Sequence, residues 1–169
     1  MAIDGRAGEL KAQALRWWLD HHGLAATGRA TGRATGRATG RTMVKMKRVY
    51  EPAGTEDGYR VLVERLWPRG ISKAAARLDA WERGIAPSDA LRRWYGHDPR
   101  KWPEFQARYE RELEAPEAQA TLDRLAARAR DGPVTLVYAS RAGEISNAAV
   151  LRRLLTQLAA SQGGAASNA

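Results

Sequence analysis

Val134-Thr135-Leu136-Val137-Tyr138-Ala139 is an almost unbroken run of strand-forming residues, preceded by the breaker Asp131-Gly132-Pro133. Six residues are too few for a stable helix. Apolar side chains on both pleats mean a strand covered on both faces, the habit of parallel sheets. The flanking segments supply the cover. Upstream, from about Pro116 to Ala129, Leu122, Leu125 and Ala129 recur at helical spacing. Downstream, from about Ile145 to Ala160, Ala149, Leu151, Leu154, Leu155 and Leu158 do the same. A buried strand between two amphipathic helices points to an α/β domain.

Working outward, Tyr59 to Leu66 predicts a second strand, because Val61 and Val63 alternate with Leu62 and Glu64. Trp67-Pro68-Arg69-Gly70 stops it, since proline cannot donate to a sheet ladder and glycine permits a tight turn. Lys47 to Tyr50 predicts a short first strand, and Leu78, Ala80 and Trp81 a third strand or extended segment. Ser72 and Ser88 suit helix N-caps, the latter for Asp89 to Tyr95, and Asp98-Pro99 suits the N-cap and first position of the next helix. That helix carries Trp102, Phe105, Tyr109 and Leu113 as an inward stripe. The expected architecture is a small three-layer sandwich with a short, largely parallel sheet of three or four strands.

Residues 1–45 differ in character. Ala-Thr-Gly-Arg occurs four times in succession between Ala26 and Arg41 without one large apolar side chain, which cannot offset the entropy of ordering the chain. A disordered extension is expected there, consistent with a start codon upstream of Met43 and Met46; the domain is expected over 46–160, with a disordered tail over 161–169. The formal charge of +9 divides unevenly: residues 1–42 hold seven Lys/Arg against three Asp/Glu, and the remainder 21 against 16. Interspersed signs of this kind belong to solvated helix faces more than to a phosphate-tracking stripe, so only weak nucleic-acid affinity is expected. No stretch approaches the ~20 apolar residues of a membrane span. The absence of cysteine removes disulfides and thiolate chemistry and suits a cytoplasmic protein. With one histidine in the body of the chain, no metal site or cofactor is expected.

Lys47-Arg48-Val49-Tyr50, Asp57 to Val63, Arg65-Leu66-Trp67-Pro68-Arg69-Gly70, Ile85-Ala86-Pro87-Ser88 and Gly96-His97-Asp98-Pro99, followed by Leu136-Val137-Tyr138-Ala139 and Asn147-Ala148, resemble the YeaO-like proteins of domain of unknown function family 488 in kind and order. The resemblance spans roughly Lys47 to Leu158. It implies an α/β sandwich in small cytoplasmic proteins and brings no activity with it. Glu64 and Ile145-Ser146 depart from that family's pattern.

Parallel strands would bring the loop Trp67 to Lys73 and the loop Ser140 to Asn147 to one sheet edge, the edge at which open α/β sheets bind ligands. Arg69, Lys73 and Arg141 would then face the start of the last helix, with Ser146 and Asn147 as neutral donors and Trp67 beside them. This arrangement predicts a site for a phosphate or carboxylate. The plain alternative has Ser146 capping the helix, Arg141 pairing with Glu144 and Arg69 in water. In an enzyme for a small anionic metabolite, Glu64 or Tyr138 would move the proton; in a nucleic-acid-binding or regulatory module the same cations would track a backbone with Trp67. Arg65, inside the predicted strand, is expected to be buried and paired with Glu51, Asp57 or Asp79. His97-Asp98 reads as a helix start in preference to a base and its orienting carboxylate.

Overall fold

A computed structural model describes residues 43–164; the repeat segment lies outside the described residues. Four strands form one parallel sheet: β1 (Val44–Arg48), β2 (Tyr59–Leu62), β3 (Ala80–Trp81) and β4 (Val134–Tyr138), in the order β1-β4-β2-β3. The last strand fills the slot between the first two, where Leu136 stands opposite both Met46 and Val61. All five of its residues are buried, as its composition predicts.

Five helices complete the domain: α1 (Lys73–Ala76), α2 (Asp89–Tyr95), α3 (Trp102–Glu112), α4 (Pro116–Asp131) and α5 (Asn147–Gly164). The caps are those the sequence predicts. Ser72 Oγ accepts from Ala75 N and Ser88 Oγ from Leu91 N, each satisfying an orphan N–H of a first turn. Asp98 accepts from Arg100 N and opens a 3₁₀ turn, Pro99–Lys101, that leads into α3. Gly58 is required by geometry: its φ is +63° and a Cβ there would lie 2.2 Å from the Pro133 carbonyl, which Tyr59 N uses to start the β2–β4 ladder.

On one face of the sheet Leu62 and Val137 pack with Val49 and with Ala76 of α1, joined by Trp67, Ile71, Leu78 and Trp81. Trp67 and Trp81 meet edge to face at 5.4 Å. The alternate residues Val61, Val134 and Leu136 are fully buried on the other face, and α5 packs on β1, β4 and α4. Each fully buried Leu, Phe or Tyr contributes about 1.5–3 kcal/mol of transfer free energy. From β2 the chain leads to α1 and from β4, its neighbour in the sheet, to α5. A fork opens between their carboxyl ends.

Two boundaries differ from expectation. Strand β2 stops at Leu62, four residues early: Val63 N still reaches Val137 O at 3.1 Å, but the carbonyls that follow leave the ladder, Val63 O accepting from Asn147 Nδ2 and Glu64 O from Trp81 Nε1. Helix α5 runs on to Gly164, beyond Ala160, so the first four residues of the expected tail are helical. Among the described residues no helix is long and apolar enough to cross a membrane.

Candidate functional site at the fork between two strands

At that fork lies a cleft of about 410 Å³, within the size range of small-molecule sites. Glu64 follows β2, Ala139 and Ser140 follow β4, and Ser146 and Asn147 begin α5; the facing wall is Pro87 with Arg92, Arg93 and Tyr95 of α2, then His97, with Phe105 of α3 behind. Three remote segments of chain thus converge on it.

Glu64 is clamped at both ends. Its carbonyl accepts from Trp81 Nε1 at 2.7 Å and its Oε1 accepts from Ala139 N at 3.0 Å. Among the described residues no cation lies within ion-pair distance of its carboxylate. Burial pushes its pKa up, against the Ala139 N–H and the nearby charges of Arg92 and His97. Asn147 donates to Val63 O at 2.7 Å, fastening α5 to the end of β2. Ser146 Oγ donates to Gly143 O, and Ser140 Oγ accepts from Ala142 N at 3.1 Å, which leaves the Ser140 hydroxyl hydrogen to be given elsewhere. Tyr95 Oη donates to Ile145 O, and the Tyr95 and Phe105 rings stack at 4.2 Å as the buried back of the wall.

The cationic side of the cleft comes from α2. Arg92 is shared with Asp89 at 3.3 Å. Arg93 is exposed and, like Arg69 and Arg141 elsewhere on the surface, has no carboxylate within 4 Å among the described residues; what sets it apart is its place in the lining of the cleft. His97 holds a left-handed backbone, φ +58°, at the lip of the cleft, a conformation that costs a non-glycine residue energy and is common at binding sites. Asp98 gives both oxygens to Arg100 and orients no imidazole, in line with the helix-start reading.

Of the residues singled out in the sequence, Glu64, Ser146 and Asn147 line this cleft. Arg69, Lys73, Trp67, Arg141 and Tyr138 are not part of its lining. Arg69 and Lys73 are exposed, and Arg69 O accepts from Tyr50 Oη at 2.9 Å. Trp67 Nε1 donates to Ile71 O and its ring belongs to the core. Arg141 is exposed, and Glu144, its expected partner, pairs with Arg152 instead. Tyr138 is buried, and burial together with Glu51 raises its pKa, which holds the phenol protonated. The role expected of Arg65 falls to Arg60. Because β2 ends at Leu62, Arg65 lies outside the sheet, half-buried over a hollow with Ser88 and Glu112. Arg60, within the strand, is the buried arginine, and its Nη1 meets Asp57 Oδ2 at 2.5 Å. Arg92 and Arg93 reach the cleft from α2, and His97, read in the sequence as part of a helix start, from the turn after it.

Residues 43–169 match the family model described as "Inactive DUF488-N3 subclade". The chain belongs to the DUF488/YeaO-like family. An uncharacterized Mycobacterium tuberculosis protein, Rv3073c, is 46% identical over 114 residues, 68% of this chain and 94% of its own length. An uncharacterized Mycobacterium bovis protein, Mb3100c, matches to the same extent. The uncharacterized protein YeaO of Escherichia coli is 40% identical over 115 residues, 68% of this chain and 98% of its own length. No solved structure matches the chain.

Proposed function

We propose that the fork cleft binds a small anionic metabolite, a phosphate or carboxylate, and that binding rather than bond-breaking is its work. The observation that carries this reading is Arg93, a guanidinium at the mouth of a ligand-sized cleft with no carboxylate of its own. Arg92 and the Ser140 hydroxyl supply further donors on the same cleft. An ionised partner makes such bonds short and strong. Among the described residues of the cleft no hydroxyl is bonded to a base: Ser146 donates to a backbone carbonyl, Ser140 Oγ accepts from Ala142 N, and the carboxylate next to His97 is taken by Arg100. The family model's description, an inactive subclade, speaks for the lack of catalysis and not for any ligand.

A nucleic-acid reading has less support, since Arg92, Arg100 and Arg108 are each neutralised by a carboxylate on the same surface. Isothermal titration of the full chain with inorganic phosphate and with phosphate and carboxylate metabolites tests the proposal. Arg93→Ala is expected to weaken the anion roughly ten- to a hundredfold, the worth of one bond to a charged group at about 1.5–3 kcal/mol. Equal affinity in wild type and variant, or no binding of any small anion, overturns it.

A further inference from the structure

Glu64 is unused by an anion, yet it is a half-buried carboxylate of the cleft whose side chain is held by the Ala139 N–H. A carboxylate offers about four acceptor positions; here one is filled, by Ala139 N, and no cation is within ion-pair reach. Desolvating a charged group without a counter-ion is costly, so its open positions have to be met by donors that arrive with the ligand or by water.

The surroundings narrow which donors these are. Arg92, Arg93 and His97 share the cleft, so a ligand ammonium would enter against three cationic or titratable basic groups. Neutral donors suit the place. Nor does the wall present an open aromatic face for a nucleobase, because Tyr95 and Phe105 are stacked on one another and almost fully buried. What remains is Pro87, Ala139 and ring edges, surfaces suited to the C–H groups of a saturated ring. The two oxygens of one carboxylate, moreover, can accept from two adjacent hydroxyls at once.

Resting on the anion reading above, we infer that Glu64 is a specificity-determining residue that accepts hydrogen bonds from a vicinal diol, and that the ligand class is a hydroxylated sugar phosphate whose phosphate lies toward Arg93. The shared chemistry is a ribose-type phosphomonoester, either free or as the sugar phosphate of a nucleotide.

The experiment is titration calorimetry on the full chain with four probes: inorganic phosphate, ribose 5-phosphate, 2-deoxyribose 5-phosphate and uridine 5′-monophosphate. Wild type is expected to bind ribose 5-phosphate at least about tenfold more tightly than 2-deoxyribose 5-phosphate or inorganic phosphate, as one or two hydrogen bonds to a charged acceptor imply. Glu64→Gln keeps an amide oxygen for Ala139 N but turns one acceptor into a donor. It is expected to reduce the ribose preference to less than about threefold, while inorganic phosphate, relieved of a negative neighbour in the cleft, binds at least as tightly as to wild type. Uridine 5′-monophosphate binding more weakly than ribose 5-phosphate supports the free sugar phosphate; equal or tighter binding supports the nucleotide. Equal binding of the ribose and deoxyribose phosphates by wild type overturns the inference and leaves the anion reading standing. So does a preference that survives Glu64→Gln. Wild type that binds none of the four, inorganic phosphate included, overturns both, and the two failures are thereby distinct. The wild-type comparison decides the matter even where the variant folds poorly.

Discussion

Two carboxylates flank β2, one before its first residue and one just past its last, and their surroundings are opposites. Asp57 is buried and accepts from Gly54 N at 2.9 Å, Lys47 Nζ at 2.9 Å and Arg60 Nη1 at 2.5 Å, while its carbonyl accepts from Thr135 Oγ1 at 2.7 Å. Arg60 in turn donates to the carbonyls of Arg77 and Ala76, tying the start of β2 to α1. Burial alone would raise the Asp57 pKa, but the bonds from Gly54, Lys47 and Arg60 outweigh it and leave the group below its ordinary value. Glu64 has one donor and no ion pair, and burial carries its pKa the other way. The same functional group thus serves the fold at one end of the strand, where every acceptor is met from within. At the other end a single backbone donor meets the carboxylate among the described residues.

The contrast is broken most severely at the amino end. Asp57→Ala is expected to cost about 3–5 kcal/mol, because it leaves the Arg60 guanidinium buried without its carboxylate. Denaturant unfolding of the full chain measures this; a loss below about 1 kcal/mol would mean that the network contributes little and that the two ends do not differ in kind.

A second prediction uses acid. Since the folded pKa of Asp57 is below its unfolded value, its contribution is present at neutral pH and is lost as pH falls through the unfolded and then the folded pKa, roughly from pH 5 downward. Glu64 has the opposite sign: its folded pKa is raised, so the folded state gains on protonation and loses stability as pH rises through that folded value. Unfolding midpoints followed from pH 7 to about 2.5 should therefore fall more steeply in wild type than in Asp57→Ala. Parallel curves would contradict the assignment.

How much of this was legible in the sequence follows the same division. Strand β4, the caps Ser72, Ser88 and Asp98, and the aromatic stripe of α3 rest on local patterns, and local patterns survive folding. The end of β2 does not. Val63-Glu64 continues the alternation past the last paired residue, where the carbonyls are taken by side chains remote in sequence, Asn147 Nδ2 on Val63 O and Trp81 Nε1 on Glu64 O. That extension placed the buried arginine at Arg65, although Asp57 and Arg60 stand three apart across Gly58, a spacing that could have drawn attention to the pair. At the cleft, Ser146 and Asn147 read in the sequence as the start of the last helix at the sheet's carboxyl edge and Glu64 as part of the second strand, and all three line it. Arg92, Arg93 and His97 come from α2 and the turn after it, and only tertiary packing, including the Tyr95 bond to Ile145, brings them there. Arg69 and Arg141 were chosen for lying on the right loops, yet a loop's place does not fix the direction of its side chains.

The central claim, that β2 carries a structural carboxylate at one end and a ligand-facing one at the other, is tested most directly by the unfolding free energy of Glu64→Gln at pH 7 in the absence of ligand. Removing a half-buried charge that has no ion-pair partner among the described residues, while keeping an oxygen for Ala139 N, should leave stability within about 0.5 kcal/mol of wild type or raise it. A loss of about 3 kcal/mol or more, equal to that expected of Asp57→Ala, would show Glu64 to be as much a part of the fold as Asp57 and would contradict the account.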